Sequence, residues 1–146
     1  MKNLSLTVTQ KLLLVFFFFI VVVIGFMLKL PAVFRHVDKE MHAAFYFLAA
    51  AFLNLLFVGT KLFRHVLIFV VLYLFGAGIE AAQEYSNRFF RKRIHGRFDP
   101  EDLEWNLKGL VAFSILWLLY TGIVFLYKKS LDKTGAVESL PGKRDQ

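Results

Sequence analysis

Long apolar runs alternate with short polar segments along this chain. Four runs carry almost no charge, and they occupy residues 12–28, 43–59, 66–83 and 109–127. Each run has about 17–20 residues, which at about 1.5 Å per residue roughly spans the hydrocarbon core of a bilayer. The pattern therefore predicts an all-α integral membrane protein, a four-helix bundle with four transmembrane helices.

A secretory signal peptide is the alternative interpretation of the first run. Its apolar core is long for a signal peptide, and the residues that follow, KLPAVFRH, contain no cleavage site of the small-x-small kind. We therefore predict that the first run is an uncleaved membrane helix.

The composition agrees with a membrane location and excludes several kinds of site. The chain is 58% hydrophobic and has a formal net charge of +7. Its cations flank apolar runs instead of lining one amphipathic face, which indicates a membrane surface rather than nucleic acid. Cysteine is absent, so disulfides, thiolate metal sites and cysteine nucleophiles are excluded. The sequence also lacks a phosphate-binding glycine loop, HExxH and GxSxG, and it indicates no cofactor.

The connections suggest how the helices are arranged. The second loop, TKLFRH, is short, so the second and third helices should be antiparallel neighbours. We expect a single transmembrane domain over residues 1–130 and a flexible polar tail over residues 131–146, which contain Gly and Pro. The first and third loops must share one face of the membrane, because an even number of spans separates them.

The number of lysines and arginines does not decide the orientation. Nine belong to the N-terminus, the second loop and the tail, and nine belong to the other two loops. The cations beside the last run look like simple anchors, whereas those of the first and third loops lie among acids. We therefore predict that both termini are cytoplasmic.

A polar stripe enters the second run. Asp38, His42 and Tyr46 are four residues apart in VDKEMHAAFY, so a helix places them on one face. One interpretation makes Asp38 an N-terminal cap or a partner of the helix dipole, His42 its ion-pair partner and Tyr46 an interfacial aromatic residue. In the alternative, Asp38 and His42 form an acid/base pair or a metal-binding pair.

A second stripe ends the third run. Four polar residues share one helical face there: Glu80, Gln83, Glu84 and Asn87. A carboxylate near membrane level needs a partner and is a functional candidate by default. The alternative is a structural ion pair that locks the helices together. Three basic residues on the same side of the membrane are candidate partners: Lys39, His42 and Arg97.

The segment RFDPEDLEWNLKG begins the last helix and carries a third stripe. Asp99 followed by Pro100 is a typical helix start, with Asp as the cap and Pro in the first position. Asp102, Asn106 and Gly109 are spaced four and three apart, and capping does not explain them. The preceding run RFFRKR is more typical of a lipid-headgroup-binding face than of a catalytic site.

In this order, the motifs resemble those of the VanZ-like family of bacterial membrane proteins. The chain has DKxxH and a following Tyr before the second run, ExxQ at the end of the third, and DxxDxxxNxxG leading into the fourth. The resemblance covers residues 31–127, although the family's arginine could be Arg88, Arg93 or Arg97. It implies these signature positions: Asp38, Lys39, His42, Glu80, Gln83, Arg97, Asp99, Asp102, Asn106 and Gly109. The candidate cluster consists of the polar residues of this set together with Tyr46 and Glu84.

The family takes its name from low-level teicoplanin resistance. The resemblance implies a multi-pass protein of the bacterial cytoplasmic (inner) membrane that acts at the cell envelope. Its expected partners are membrane lipids and a lipid-linked or lipoglycopeptide ligand. An alternative hypothesis is a membrane-embedded enzyme or binding protein for a lipid headgroup or envelope precursor. In that enzyme His42 is the general base, and Glu80, Glu84, Asp99 or Asp102 is the acid or a metal ligand. A third hypothesis is a non-catalytic bundle whose charges only fix helix packing.

Overall fold

The structure, a computed structural model, describes residues 6–27, 37–91 and 98–138 of the chain. Side chains are described for residues 6–24, 37–91 and 98–132. The helices are α1 (Val8–Met27), α2 (Asp38–Phe57), α3 (Leu62–Phe89) and α4 (Pro100–Glu138). The described ranges contain no strand, so the prediction of an all-α, four-helix protein is confirmed.

The apolar helices are those of a multi-pass membrane protein. Three are long and apolar enough to cross a membrane: Asp38–Phe57, Leu62–Phe89 and Pro100–Asp132. The fourth, Val8–Ile24 within α1, is apolar but shorter over its described part. Many large apolar side chains face outward, including Phe16, Leu55 and Leu74. Outward apolar side chains are what a bilayer favours, because lipid is the solvent of that surface.

The helices extend beyond the apolar runs at the face where loops one and three lie. α3 continues to Phe89, and α4 begins at Pro100 and not at residue 109, the first residue of the apolar run. All three polar stripes are therefore helical. At its other end α4 continues to Glu138, so it includes the first part of the segment expected to be a flexible tail. Residues 139–146 lie outside the described residues.

The short second loop makes α2 and α3 an antiparallel hairpin. Gly59 has a φ of 59°, a left-handed conformation that glycine adopts without steric cost, and this allows the tight reversal. At the same end, Lys11 Nζ donates to the Leu56 carbonyl oxygen at 2.7 Å. Arg64 Nη1 donates to the Phe57 carbonyl oxygen at 3.1 Å. The start of α1 and the second loop therefore lie at the same end of this part of the molecule, as the topology predicts.

A small core joins α2, α3 and the first part of α4. Its buried apolar members are Tyr46, Ala49, Ala50, Leu53, Leu72 and Leu110. Phe18 and Phe19 of α1 pack against this core, and the Phe18 ring lies 4.9 Å from that of Phe52. The alanines of α2 remove side-chain volume, so neighbouring helices approach closely there. This packing fixes the rotation of α2 and thereby the direction of its polar stripe.

A buried polar pair lies at the opposite end from the three stripes. His65 Nδ1 donates to Asn54 Oδ1 at 2.8 Å, and Asn54 Nδ2 donates to the Ala50 carbonyl oxygen at 2.7 Å. The described residues contain no buried side-chain nitrogen or oxygen that lacks a hydrogen-bond partner. Satisfied pairs of this kind hold apolar helices in register, because an unpaired polar group in hydrocarbon is costly.

The chain divides into two units, residues 1–113 and 114–146. The candidate site belongs entirely to the first unit. The second contains the rest of α4, where Thr121 Oγ1 donates to the Trp117 carbonyl oxygen at 3.0 Å. That bond satisfies a hydroxyl within an apolar helix, as is common for threonine in membrane spans.

Candidate functional site at the ends of three helices

The start of α2 directs its polar stripe inward. His42 and Tyr46 are buried, with 6% and 1% of their surfaces exposed, whereas Asp38 is partly exposed. The interpretation of Asp38 as an N-cap is wrong, because Val37 occupies the cap position and no side chain caps the helix. Asp38 is instead the first helical residue, where the helix dipole favours a carboxylate, and one of its oxygens lies within 4.8 Å of a ring nitrogen of His42.

The start of α4 faces this stripe. Asp99 caps the helix as predicted, since its Oδ1 accepts the N–H of Glu101 at 2.9 Å and Pro100 is the first helical residue. One turn further on, Asp102 is mostly buried and Asn106 is only 1% exposed. At Gly109 the backbone of α4 approaches the Ala43 carbonyl group so closely that a Cβ would overlap it. The three-residue stripe of α4 therefore packs against α2.

His42 connects the two helices. Its Nδ1 donates to Asn106 Oδ1 at 2.8 Å. An amide oxygen can only accept, so the proton of the neutral imidazole lies on Nδ1 and the electron pair on Nε2. His42 Nε2 lies 3.9 Å from Asp102 Oδ2. Asn106 thus sets the tautomer of a buried histidine whose other nitrogen faces a carboxylate.

Glu80 brings the end of α3 into the same cluster. Only 1% of its surface is exposed, and its Oε2 accepts the backbone N–H of Asp99 at 3.2 Å. This bond places Glu80 beside the start of α4, the same element that contacts the α2 stripe through Asn106. Here the glutamate binds the main chain at the point where α4 begins.

Gly76 of α3 leaves room for the inner side of the cluster. A Cβ at this position would lie 2.6 Å from the Tyr46 hydroxyl oxygen and 2.7 Å from Asn106 Nδ2. The absence of a side chain therefore lets Tyr46 and Asn106 pack directly on the backbone of α3. Small residues permit helices to approach closely, and Gly76 does so here.

Gly76→Ala should destabilise the protein, whereas Gly78→Ala should not. The first substitution forces two buried polar side chains to move, and overpacking of this kind typically costs about 1–3 kcal/mol. At Gly78 nothing lies within 4 Å of an added Cβ. Thermal unfolding of the two purified variants in one detergent measures the difference. Equal unfolding temperatures would contradict the packing described for Gly76.

An outer ring of ion pairs borders the cluster. Lys39 pairs with Glu101 and so ties α2 to α4 at the more exposed rim. Glu84 pairs with Arg88 on its own helix at 3.0 Å, and the Arg88 side chain is 77% exposed. Exposed pairs of this kind contribute little stability. Gln83 is buried on the face of α3 that also carries Glu80.

The described residues thus bring most of the candidate set together. Four side chains lie around His42: Asp38, Tyr46, Asp102 and Asn106. Glu80 of α3 and Asp99, which precedes α4, lie next to this group. Arg97, and Arg93 as its alternative, lie outside the described residues, while Arg88 is engaged by Glu84. Sequence reasoning missed Glu101, whose signal was its position next to a predicted cap. It also missed the pair of His65 with Asn54, the one polar residue of the second run.

The cluster combines a buried base, four buried or partly buried carboxylates and an amide at one end of three helices. Such a group can transfer a proton, hold a cation or bind a polar headgroup that reaches it from the membrane surface. No family model, curated protein or solved structure matches this chain. A functional proposal must therefore rest on the residues of the chain itself.

Proposed function

We propose that the protein is a VanZ-like protein of the bacterial cytoplasmic membrane that acts at the cell envelope. In this proposal both termini are cytoplasmic and the cluster opens to the outer face. The cluster binds the polar part of a lipid-linked envelope component or of a lipoglycopeptide such as teicoplanin, and binding produces low-level resistance. The order of the sequence motifs and the convergence of the same residues on His42 support it.

The observation that carries the proposal is the buried contact of His42 with Asn106. A buried histidine that is held in one tautomer and has carboxylates on its other side forms a preorganised polar site, unlike a charged residue on the surface. A location at the helix ends lets a headgroup enter while its acyl chains stay in lipid. The ring of ion pairs around the cluster leaves Asp38 and Asp102 partly exposed.

The test is antibiotic susceptibility. We expect expression of the chain in a susceptible bacterium to raise the inhibitory concentration of teicoplanin several-fold, and a glycopeptide without a lipid tail to show a smaller rise. His42→Gln should abolish the effect at an unchanged membrane level. Glu104→Gln is the matched control on α4, because Glu104 is exposed and pairs with the neighbouring Lys108. Resistance that survives His42→Gln would refute a role for the cluster.

One observation favours a second candidate function, that of a membrane enzyme acting on a lipid headgroup. His42 Nε2 carries the electron pair required of a general base, and Asp102 lies beside it. The protein in vesicles should then release a headgroup from a labelled lipid-linked precursor, and His42→Gln should eliminate the release. The absence of any released product from the wild-type protein would leave binding as the function.

A further inference from the structure

Three ligand-type side chains of the cluster meet at the start of α2 and α4. One donor atom from each of Asp38, His42 and Asp102 lies within 4.8 Å of the other two. Two of these residues are one helical turn apart on α2, and the third comes from α4. Metal sites in helical proteins are commonly built in this way, from side chains on facing helices.

The imidazole is already oriented for metal binding. Because Nδ1 donates to Asn106 Oδ1 at 2.8 Å, the electron pair of neutral His42 lies on Nε2, the nitrogen that faces Asp102. Metal-bound histidines almost always donate their other N–H to an oxygen acceptor, which fixes the ring and raises its basicity. Asn106 is 1% exposed and cannot exchange this contact for water.

The spacing needs only a small adjustment. Donor atoms bound to one first-row divalent ion at about 2.1 Å stand about 3–3.5 Å apart. The 3.9 Å from His42 Nε2 to Asp102 Oδ2 is close to that value. The other separations are at most 4.8 Å, and rotation of the two partly exposed carboxylates would shorten them.

The charges around Asp102 favour a cation. The carboxylate of Asp102 is repelled by those of Asp38 and Asp99 and attracted by Lys39. Lys39 is also the ion-pair partner of Glu101. A divalent ion between the carboxylates would convert their mutual repulsion into attraction. The Asp102 side chain is 13% exposed, so the site is mostly withdrawn from water but still reachable.

We propose that Asp38, His42 Nε2 and Asp102 bind one divalent transition-metal ion, Mn²⁺ or Zn²⁺. A set of one imidazole nitrogen and two carboxylates suits both ions, and soft thiolate ligands are absent from the chain. Three protein ligands leave at least one coordination position open, as in catalytic and ligand-binding metal centres. An anionic headgroup can occupy that position, and only this last step rests on the proposed function.

The experiment uses the full chain, purified in detergent and stripped of metal with a chelator. We expect one equivalent of Mn²⁺ to bind per chain, measured by the loss of the free-ion electron paramagnetic resonance signal, and Zn²⁺ to displace it. Asp38→Asn is the primary variant, since Asp38 is partly exposed and its neutral amide retains the shape. This variant and Asp102→Asn should lose the binding, and Asn106→Ala should weaken it by about 10–100-fold.

Glu104→Gln is the control, because it removes a carboxylate of α4 that lies outside the three ligands and is 61% exposed. It should retain one equivalent of Mn²⁺. Added metal should also raise the unfolding temperature of the wild-type protein but not that of Asp38→Asn. Failure of the wild-type protein to bind either ion, or full binding by Asp38→Asn, would overturn the inference. Metal binding without any resistance phenotype would uphold it and count against the proposed function instead.

Discussion

Glu80→Ala is expected to destabilise the protein strongly, and Glu80→Gln much less. Alanine leaves the Asp99 N–H without its acceptor and creates a void where a side chain with 1% exposure now lies. A buried donor left unpaired costs about 1–3 kcal/mol, and the lost packing adds to this. Glutamine keeps the shape and an oxygen that can accept the same N–H. Thermal unfolding in detergent measures both changes.

Glu84→Gln and Glu84→Ala form the control for this comparison. Glu84 lies one turn further along α3, its side chain is 30% exposed, and its partner Arg88 is largely in solvent. Both control variants should unfold within about 0.5 kcal/mol of the wild type. If Glu80→Ala is as stable as the wild type, the carboxylate faces water and the described end of α3 is wrong.

The same pair of variants separates a functional site from a structural one. If Glu80 only locks α3 to the start of α4, Glu80→Gln should retain both membrane level and resistance, whereas Glu80→Ala should lose both. If the charge itself serves binding or proton transfer, Glu80→Gln should accumulate normally and lose resistance. Membrane level and teicoplanin susceptibility are therefore measured on the same cultures.

Gly109→Ala is expected to be among the most damaging single-methyl changes in the chain. The added Cβ would overlap the backbone carbonyl group of Ala43, which cannot rotate away as a side chain could. α2 and α4 would have to separate, and the His42–Asn106 bond lies within one turn of that contact. We expect a loss at or above the upper end of the usual range for overpacking, about 3 kcal/mol.

Gly122→Ala provides the matched control, since it makes the same chemical change on the same helix. Nothing lies within 4 Å of an added Cβ at Gly122. Alanine there should be neutral or stabilising by up to about 1 kcal/mol, because glycine is the poorer helix former. Both variants are compared by thermal unfolding and by yield from the membrane. Tolerance of Gly109→Ala would show that α2 and α4 do not meet at this point.

Local patterns predicted the helical stripes because a helix places residues three and four apart on one face. Asp38, His42 and Tyr46 follow that rule, and the capping of α4 by Asp99 depends only on adjacent residues. The end of α3 and the start of α4 were harder to predict from the sequence. Hydropathy detects the part of a helix that lies in lipid, so it omits polar turns that continue beyond the membrane level.

The contacts between helices could not be read from spacing. His42 bonds to Asn106 of α4, since the rotation of α2 is fixed by the packing of Tyr46 and the small residues of its core face. Glu80 accepts a main-chain N–H, a partner that no side-chain pattern reveals. Glu84 shares its helical face with Glu80 but lies one turn nearer the water, where an exposed arginine engages it.

The starts of α2 and α4 meet at one end of the helices, where Lys39 pairs with Glu101. The chain lacks cysteine, so two introduced thiols would be the only ones present. Lys39→Cys/Glu101→Cys replaces an ion pair between these helix ends, whereas Lys39→Cys/Lys61→Cys places the thiols at opposite ends of α2 and α3.

A short bifunctional thiol reagent applied to membranes should therefore cross-link the first pair within one chain and leave the second pair unlinked. Failure to cross-link Lys39→Cys/Glu101→Cys, while each single cysteine still reacts with a monofunctional maleimide, would contradict the account.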